Sequence, residues 1–152
     1  MNTIREYAPE MTTNAPPPHT NEQFYDHLQS YPLNVWIPVC HKRDLVAWSG
    51  ITVRSTQGEQ IALFYIPGKT DFSEKMEQIY AISNIDPFSG TGVLARGIVS
   101  SLKGQTVVAS PLYKQRFNLE NGQCLEDDNI SIRTWPARLV GGYVEIKDQA
   151  PR

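Results

Sequence analysis

Short apolar runs separated by tight-turn residues dominate the chain from residue 35 onward. Runs of this length, rich in β-branched and aromatic residues, are typical of strands. The turns expected to join them carry residues that tolerate a positive φ, namely Gln57-Gly58, Lys103-Gly104, Asn121-Gly122 and Gly141-Gly142. The pattern predicts an all-β domain, with its clearest strands over 35–39, 60–66, 78–85, 106–109 and 143–147.

Three other segments of this domain have a less direct interpretation. Residues 93–102 favour neither a helix nor a strand, because their apolar residues fit neither period and Gly97 interrupts them. Residues 67–77 combine Pro, Gly and charged side chains, which predicts a surface loop with room for a helical turn at 73–77. Pro136 restricts its own segment to a sheet edge, a bulge or a strand end.

The first 33 residues form an N-terminal extension of different character. Residues 1–19 are polar and rich in proline, which favours extended, solvated backbone. His19 and His27 have no second metal ligand at a suitable spacing, so both are expected to be solvated side chains. The predicted organisation is therefore an extension over 1–33 and one domain over 34–148.

A short helix is predicted inside the extension, over residues 21–29. Thr20 with Gln23 resembles a capping box, and Phe24 with Leu28 stands at helical spacing. Pro32 ends the pattern.

The overall charge and apolar content exclude several functional classes. A formal charge of -2 and a pI near 5.9 give no basic footprint for nucleic acid. No stretch approaches the ~20 apolar residues of a membrane span, and no signal peptide is visible, so we expect a cytoplasmic protein without a membrane partner. Cys40 and Cys124 form no redox or zinc motif and are expected to be free, buried thiols.

Two loop motifs resemble the metal loops of Rieske iron–sulfur proteins with their ligands replaced. That family holds a two-iron cluster with Cys-x-His on one loop and Cys-Pro-x-His on the other. Here the corresponding stretches are Asp86-Pro87-Phe88 and Ser110-Pro111-Leu112-Tyr113. The four ligand positions, Asp86, Phe88, Ser110 and Tyr113, carry neither a thiolate nor an imidazole. Because clusters require these soft ligands, we expect no cluster and no other metal on this chain.

The resemblance extends over about residues 34–147. The blocks 81–88, 110–117 and 122–125 stand in the order found in the small subunit of NAD(P)H-dependent nitrite reductase, a Rieske-like family in which many members lack the cluster ligands. This resemblance implies a Rieske-like antiparallel β-sandwich or barrel with a smaller loop-bearing subdomain, to which the short N-terminal helix is added.

The same resemblance implies a partner and a division of labour. A large subunit is expected to carry FAD, siroheme, an iron–sulfur cluster and the NAD(P)H site, and to reduce nitrite to ammonia in nitrate assimilation. This chain is expected to bind none of these cofactors and to act as a structural or modulatory subunit of the oxidoreductase. The alternative is a Rieske-fold interaction module of another complex. A cluster-binding ferredoxin is disfavoured by the missing ligands.

The two former metal loops supply the candidate site residues. By analogy with Rieske tips, which meet redox partners, the resemblance makes this set a candidate docking surface: Asp86, Phe88, Tyr113, Lys114, Gln115 and Arg116.

Each candidate also has a simpler interpretation. Asp86 before Pro87 can form an Asx turn, Phe88 and Tyr113 can fill the space of the lost cluster, and Arg116 can be solvated or pair with Glu120. Filling is the interpretation we prefer for the two aromatic residues.

Two possible metal sites are disfavoured on ligand chemistry. Asp127-Asp128 more often marks a turn than a metal site, since hard cations need several more oxygen ligands. A hard metal held by Asp86, Ser110 and Tyr113 is disfavoured because a phenol and a hydroxyl are poor ligands at neutral pH.

Overall fold

The computed structural model describes residues 34–68 and 76–148. Within these ranges the chain forms short strands and two 3₁₀ turns, Lys42–Asp44 and Leu94–Arg96. The strands are β1 (Trp36–His41), β2 (Ser49–Arg54), β3 (Gln60–Ile66), β4 (Gln78–Ser83), β5 (Ile85–Asp86), β6 (Thr91–Gly92), β7 (Ile98–Leu102), β8 (Gln105–Ala109), β9 (Arg116–Asn118), β10 (Thr134–Trp135), β11 (Ala137–Val140) and β12 (Tyr143–Lys147).

All strands pair in antiparallel fashion, in four sheets. The central sheet has the order β10-β4-β3-β2, and three-stranded sheets have the orders β1-β12-β11 and β7-β8-β9. A two-stranded sheet, β5-β6, follows directly after β4. The predicted antiparallel all-β fold is confirmed.

The central sheet is buried on both faces, which explains why β3 is a continuous apolar run. Ala62 and Phe64 face a core cluster shared with Val108 and Phe117 of the β7-β8-β9 sheet. Residues 61 and 63 point to the opposite face, as strand alternation requires. There they join a cluster shared with β12 of the β1-β12-β11 sheet. The domain is therefore a three-layer arrangement, with the β7-β8-β9 sheet packed on one side of the central sheet.

The strands predicted over 60–66 and 143–147 agree with β3 and β12. The strand predicted over 78–85 is interrupted at Asn84, which still donates its N–H to the oxygen of Gln60 in β3 but directs its acceptors to the following segment. Its Oδ1 accepts a hydrogen bond from the Ala95 N–H at 2.8 Å, and its backbone oxygen accepts one from the Val93 N–H at 3.0 Å. Asn84 thus ends β4 and anchors the first turn of the 93–102 segment.

The undecided segment 93–102 contains the 3₁₀ turn Leu94–Arg96 and the strand β7. Gly97 stands between the two. A Cβ at this position would lie 2.4 Å from the Ala109 oxygen, so the close approach of the backbones requires glycine. Pro136 lies between β10 and β11, which confirms that it marks a strand end. Predicted turn residues with positive φ include Gly58, Gly104 and Gly122.

Several sequence predictions concern residues outside the described ranges. The tail over 1–19, the helix over 21–29 and most of the turn over 73–77 belong to this group, so they stay predictions, as does the domain boundary after residue 33. Both cysteines are free thiols; Cys124 is buried and Cys40 half-buried. Burial, with a smaller contribution from Asp44, raises the pKa of Cys40 to about 12, so this thiol is unreactive near neutrality.

Candidate functional site

A buried hydrogen bond joins the two former metal loops. Asp86 and Ser110 are both fully buried, and the Ser110 hydroxyl donates to Asp86 Oδ2 at 2.5 Å. In the predicted correspondence with the Rieske pattern, each residue stands at a cysteine position. The loop roots are therefore connected by a polar pair of this chain's own side chains.

Each member of this pair also fixes the backbone of its own loop. Asp86 Oδ1 accepts a hydrogen bond from the Phe88 N–H at 2.8 Å, which confirms the Asx turn. The prediction that Asp86 contacts a partner directly is wrong, because its side chain has no exposed surface. The Ser110 N–H donates to the Gln115 oxygen at 2.9 Å and closes the second loop.

The two aromatic residues of the loops differ in exposure. Phe88 is 39% exposed, and its ring centroid lies 6.3 Å from that of Phe117 in the core. Tyr113 is 61% exposed, so it does not fill the space of a lost cluster. The interpretation that both aromatic side chains fill the space of a lost cluster is therefore wrong for Tyr113. Phe88 is packed only in part, against Phe117.

Leu112 adds a third exposed apolar side chain that the sequence analysis missed; 48% of its surface is accessible. The signal was present, since Leu112 is an apolar residue between Pro111 and Tyr113 in the predicted loop. We call Phe88, Leu112 and Tyr113 the tip. Beside it, Lys114 has φ 67°, and its ammonium donates to the Pro111 oxygen at 3.0 Å, which tightens the turn.

Arg116 forms an ion pair with Glu126, so the pairing predicted with Glu120 is wrong. Its Nε lies 2.6 Å from Glu126 Oε1, and its backbone N–H donates to Oε2 at 2.8 Å. The reason is a backbone bridge between Phe117 and Cys124, which brings residues 124–126 alongside β9. Partial burial opposes the charge of Glu126, but the bonds from Arg116 outweigh it and lower the pKa of this carboxyl.

Gln115 is half-buried, and its role in docking stays a prediction. Its side-chain oxygen is buried and has no hydrogen-bond partner among residues 34–68 and 76–148. Asp127-Asp128 forms the predicted turn, with the Asn129 N–H donating to Asp127 Oδ1 at 2.9 Å.

The residues at the loops do not fit a two-iron cluster. Asp86 and Ser110 offer hard oxygens that are already bonded to each other, Phe88 offers no donor atom, and Tyr113 is a phenol. The part of the chain that the structure describes also holds no group of three His, Cys, Asp or Glu side chains placed to bind a metal ion.

Comparison with known proteins shows the family of this chain. Residues 35–147 match the model for the Rieske-like [2Fe-2S] domain. The chain is 39% identical over 115 residues to the nitrite reductase (NADH) small subunit of Salmonella typhimurium, which covers 76% of this chain and 99% of that one. The chain belongs to the nitrite reductase small-subunit family. The corresponding Escherichia coli K12 subunit is 37% identical over the same share.

Solved structures of small subunits have the same fold. The Mycobacterium tuberculosis protein, described as an NADH-dependent nitrite reductase small subunit, superposes with a TM-score of 0.68 at 35% identity, covering 79% of this chain and all of that one. Escherichia coli NirD superposes with a TM-score of 0.61 at 39% identity, covering 73% and 94%. The ferredoxin of carbazole 1,9a-dioxygenase from Nocardioides aromaticivorans, at 16% identity and a TM-score of 0.56, supports the Rieske-like fold alone.

A further relative places a similar domain inside a longer protein. A nitrite reductase [NAD(P)H] large subunit from Klebsiella oxytoca is 32% identical over 118 residues, which are 78% of this chain and 11% of that protein.

No helix in the described ranges is long and apolar enough to cross a membrane.

Proposed function

We propose that this chain is the small subunit of an NADH-dependent nitrite reductase, binds no cluster of its own, and docks on the large subunit through the tip. Support comes from its 39% identity to a small subunit over 99% of that relative's length. Family membership limits the reaction class to an oxidoreductase.

The observation that carries the cluster-free proposal is the bond between Ser110 and Asp86. In a Rieske domain the metal cluster connects the two loops, whereas here a buried hydrogen bond connects them at the same positions. Such a pair needs no metal to hold the loops together, and it leaves the apolar side chains of Phe88, Leu112 and Tyr113 facing outward. Exposed aromatic and aliphatic anchors on a fixed loop suit a protein interface.

The identity of the partner is supported by the Klebsiella oxytoca protein. A domain similar to this chain is covalently part of a large subunit there, at 32% identity. Joining two modules in one polypeptide keeps them at high effective concentration. In the present case we propose that a non-covalent interface takes the place of that covalent link.

Under this proposal the large subunit carries FAD, siroheme, an iron–sulfur cluster and the NAD(P)H site, and it reduces nitrite to ammonia. This chain modulates or stabilises that subunit in the cytoplasm, where reduced nicotinamide is available. Its contribution is an interface, since the loop residues named above supply no redox group.

The test combines metal analysis with reconstitution. Purified small subunit is expected to contain no iron or acid-labile sulfide and to co-elute with the purified large subunit. Nitrite-dependent NADH oxidation by the large subunit is expected to rise when the small subunit is added. Stoichiometric iron would overturn the cluster-free part, and absence of co-elution would overturn the partner, so the two parts fail separately.

A further inference from the structure

A second group of exposed apolar side chains lies away from the tip, at one end of the central sheet. Val46, Trp48 and Met76 are 62%, 47% and 84% exposed. They lie at the same end because β2 and β4 both begin beside the last residues of β3. The loop that carries Phe88 leaves β4 at its other end. We call Val46, Trp48 and Met76 the Trp48 patch.

The backbone of Trp48 is held in a conformation that favours glycine. Its φ is 59°, and the conformation is fixed by hydrogen bonds from the Trp48 N–H to the Tyr65 oxygen at 2.8 Å and from the Ser49 N–H to the Val46 oxygen at 3.2 Å. A bulky residue with positive φ is a genuine outlier, and such strain is concentrated at recognition sites. An indole presented in this way is a suitable anchor for a binding partner.

The border of the patch carries two cationic side chains, Lys42 and Arg43, and two acidic ones, Asp44 and Glu77. The 3₁₀ turn Lys42–Asp44 precedes Val46 by one residue. Lys42 pairs with Glu77 at 2.7 Å, whereas Arg43 is exposed and has no ion pair within the described residues. These charges balance overall, so the apolar side chains of the patch determine what it binds, and Arg43 offers one site for an acidic side chain.

We propose that residues 20–33 of this chain's own N-terminal extension cover the Trp48 patch. This stretch contains Phe24, Tyr25, Leu28 and Tyr31, together with two acidic side chains and no Lys or Arg. Apolar residues at positions 24 and 28 have the spacing of a helix face that docks on an apolar surface. The acidic side chains complement Arg43.

The point where the extension joins the domain allows this contact. The Asn34 N–H donates to the Asp148 oxygen at 2.7 Å, and the Asp148 carboxylate accepts a hydrogen bond from the Thr56 N–H at 2.8 Å, just beyond the end of β2. Trp48 stands eight residues before Thr56 along the direction of β2, so the separation is about 26 Å. With residues 24–29 helical as predicted, the ten residues from Phe24 to Asn34 span up to about 24 Å, and the two aromatic side chains extend this reach by several ångström. Phe24 can therefore reach the patch.

The domain is expected to fold without the extension. The family model begins at residue 35, and the small subunit from Mycobacterium tuberculosis is covered over its whole length by a match to 79% of this chain. A variant that begins at residue 34 is therefore a fair comparison with the full chain.

Tryptophan fluorescence provides a direct readout. The chain has three tryptophans: Trp135 is 5% exposed, Trp36 is half-buried with the Arg138 guanidinium 4.0 Å from its ring centre, and Trp48 is the most exposed. The extension itself contains no tryptophan. Acrylamide quenching therefore reports chiefly on whether Trp48 is covered.

Removing residues 1–33 is expected to shift the emission to the red and to increase quenching. With a peptide Kd of about 0.1 mM and a tethered concentration of about 1 mM, the uncovered fraction of Trp48 rises about tenfold. A synthetic peptide of residues 20–33 added to the shortened variant is expected to restore protection. Equal quenching of the full and shortened chains overturns the proposal.

Point variants in the full chain separate the patch from general effects. Met76→Asp, at an 84% exposed position, places a negative charge opposite the acidic segment and is expected to mimic the truncation. Ile98→Asp, at a 72% exposed position on β7, is the matched control and is expected to leave quenching unchanged. Protection that depends on protein concentration indicates a second copy, and protection that requires the large subunit indicates that partner; either result overturns the proposal.

Discussion

The tip and the Trp48 patch both expose apolar side chains, but they are held in different ways. Beneath the tip, a buried side-chain pair, Asp86 and Ser110, fixes two loops from inside. At the patch, backbone hydrogen bonds to β3 hold Trp48 in a strained conformation. The difference indicates that the tip depends on polar side chains at former ligand positions, whereas the patch depends on the sheet itself. Substitutions at each place can therefore separate the two.

The largest expected effect on the tip comes from its apolar base. Phe117 is fully buried and contacts Phe88. Phe117→Ala is expected to destabilise the domain by about 3–5 kcal/mol, because it leaves a cavity between the central and β7-β8-β9 sheets. Urea unfolding measures this loss. A change below about 1 kcal/mol would contradict the packing described for this residue.

Removal of the polar pair beneath the tip is expected to cost less. Asp86→Ala leaves the Ser110 hydroxyl and the Phe88 N–H without their acceptor, a loss of about 1–3 kcal/mol. A double-mutant cycle with Ser110→Ala measures the coupling between the two side chains, which is expected to be about 1–2 kcal/mol. Additive effects of the two substitutions would show that the hydrogen bond does not connect the loops energetically.

A smaller effect is expected from the ion pair beside the tip, and it depends on pH. The bonds from Arg116 lower the folded-state pKa of Glu126 below its unfolded value. The pair therefore contributes stability above the unfolded pKa of about 4.3, and this contribution is lost as the pH falls through the lower folded value. Both side chains are more than a third exposed, so Glu126→Gln at neutral pH is expected to cost under about 1 kcal/mol.

The control for this prediction is the pH dependence of the same variant. Unfolding free energies measured from neutral pH down to acid are expected to converge for wild-type and Glu126→Gln proteins once the carboxyl is protonated. A difference that grows as the pH falls has the opposite sign and would contradict the assignment.

The smallest effects compare backbone strain in the two regions. Lys114 beside the tip and Trp48 in the patch both have positive φ, at 67° and 59°. Lys114→Gly relieves strain at an exposed position and is expected to stabilise by about 0.5–1 kcal/mol. Trp48→Gly relieves similar strain but loses the contacts of a half-exposed indole, so its net effect is expected within about 1 kcal/mol of zero. Thermal unfolding of both variants tests the difference.

The central sheet could be predicted from sequence because short residue patterns mark its strands and turns. Burial on both faces makes β3 a continuous apolar run, and glycines mark the hairpins that need a positive φ. The division of 78–85 at Asn84 could not be predicted, because it depends on a side chain that bonds to Ala95, eleven residues further along the chain.

The former metal loops were located from their resemblance to Rieske motifs, but their contacts depend on tertiary structure. Arg116 pairs with Glu126 instead of Glu120 because a bridge between Phe117 and Cys124 sets the neighbouring segment alongside β9. The exposure of Leu112 and the burial of the Gln115 side-chain oxygen likewise follow from how the 110–116 loop closes. A residue motif alone does not determine these features.

Docking through the tip is tested most directly by the affinity of the small subunit for the purified large subunit when the tip is changed. A variant carrying Leu112→Ala and Tyr113→Ala alters two exposed side chains, and Val46→Ala, at a 62% exposed position in the Trp48 patch, serves as the control. If the tip is the docking surface, the tip variant is expected to weaken binding at least about tenfold, equivalent to ~1.4 kcal/mol, whereas the control binds like wild type. Equal affinity of all three proteins would contradict docking through the tip.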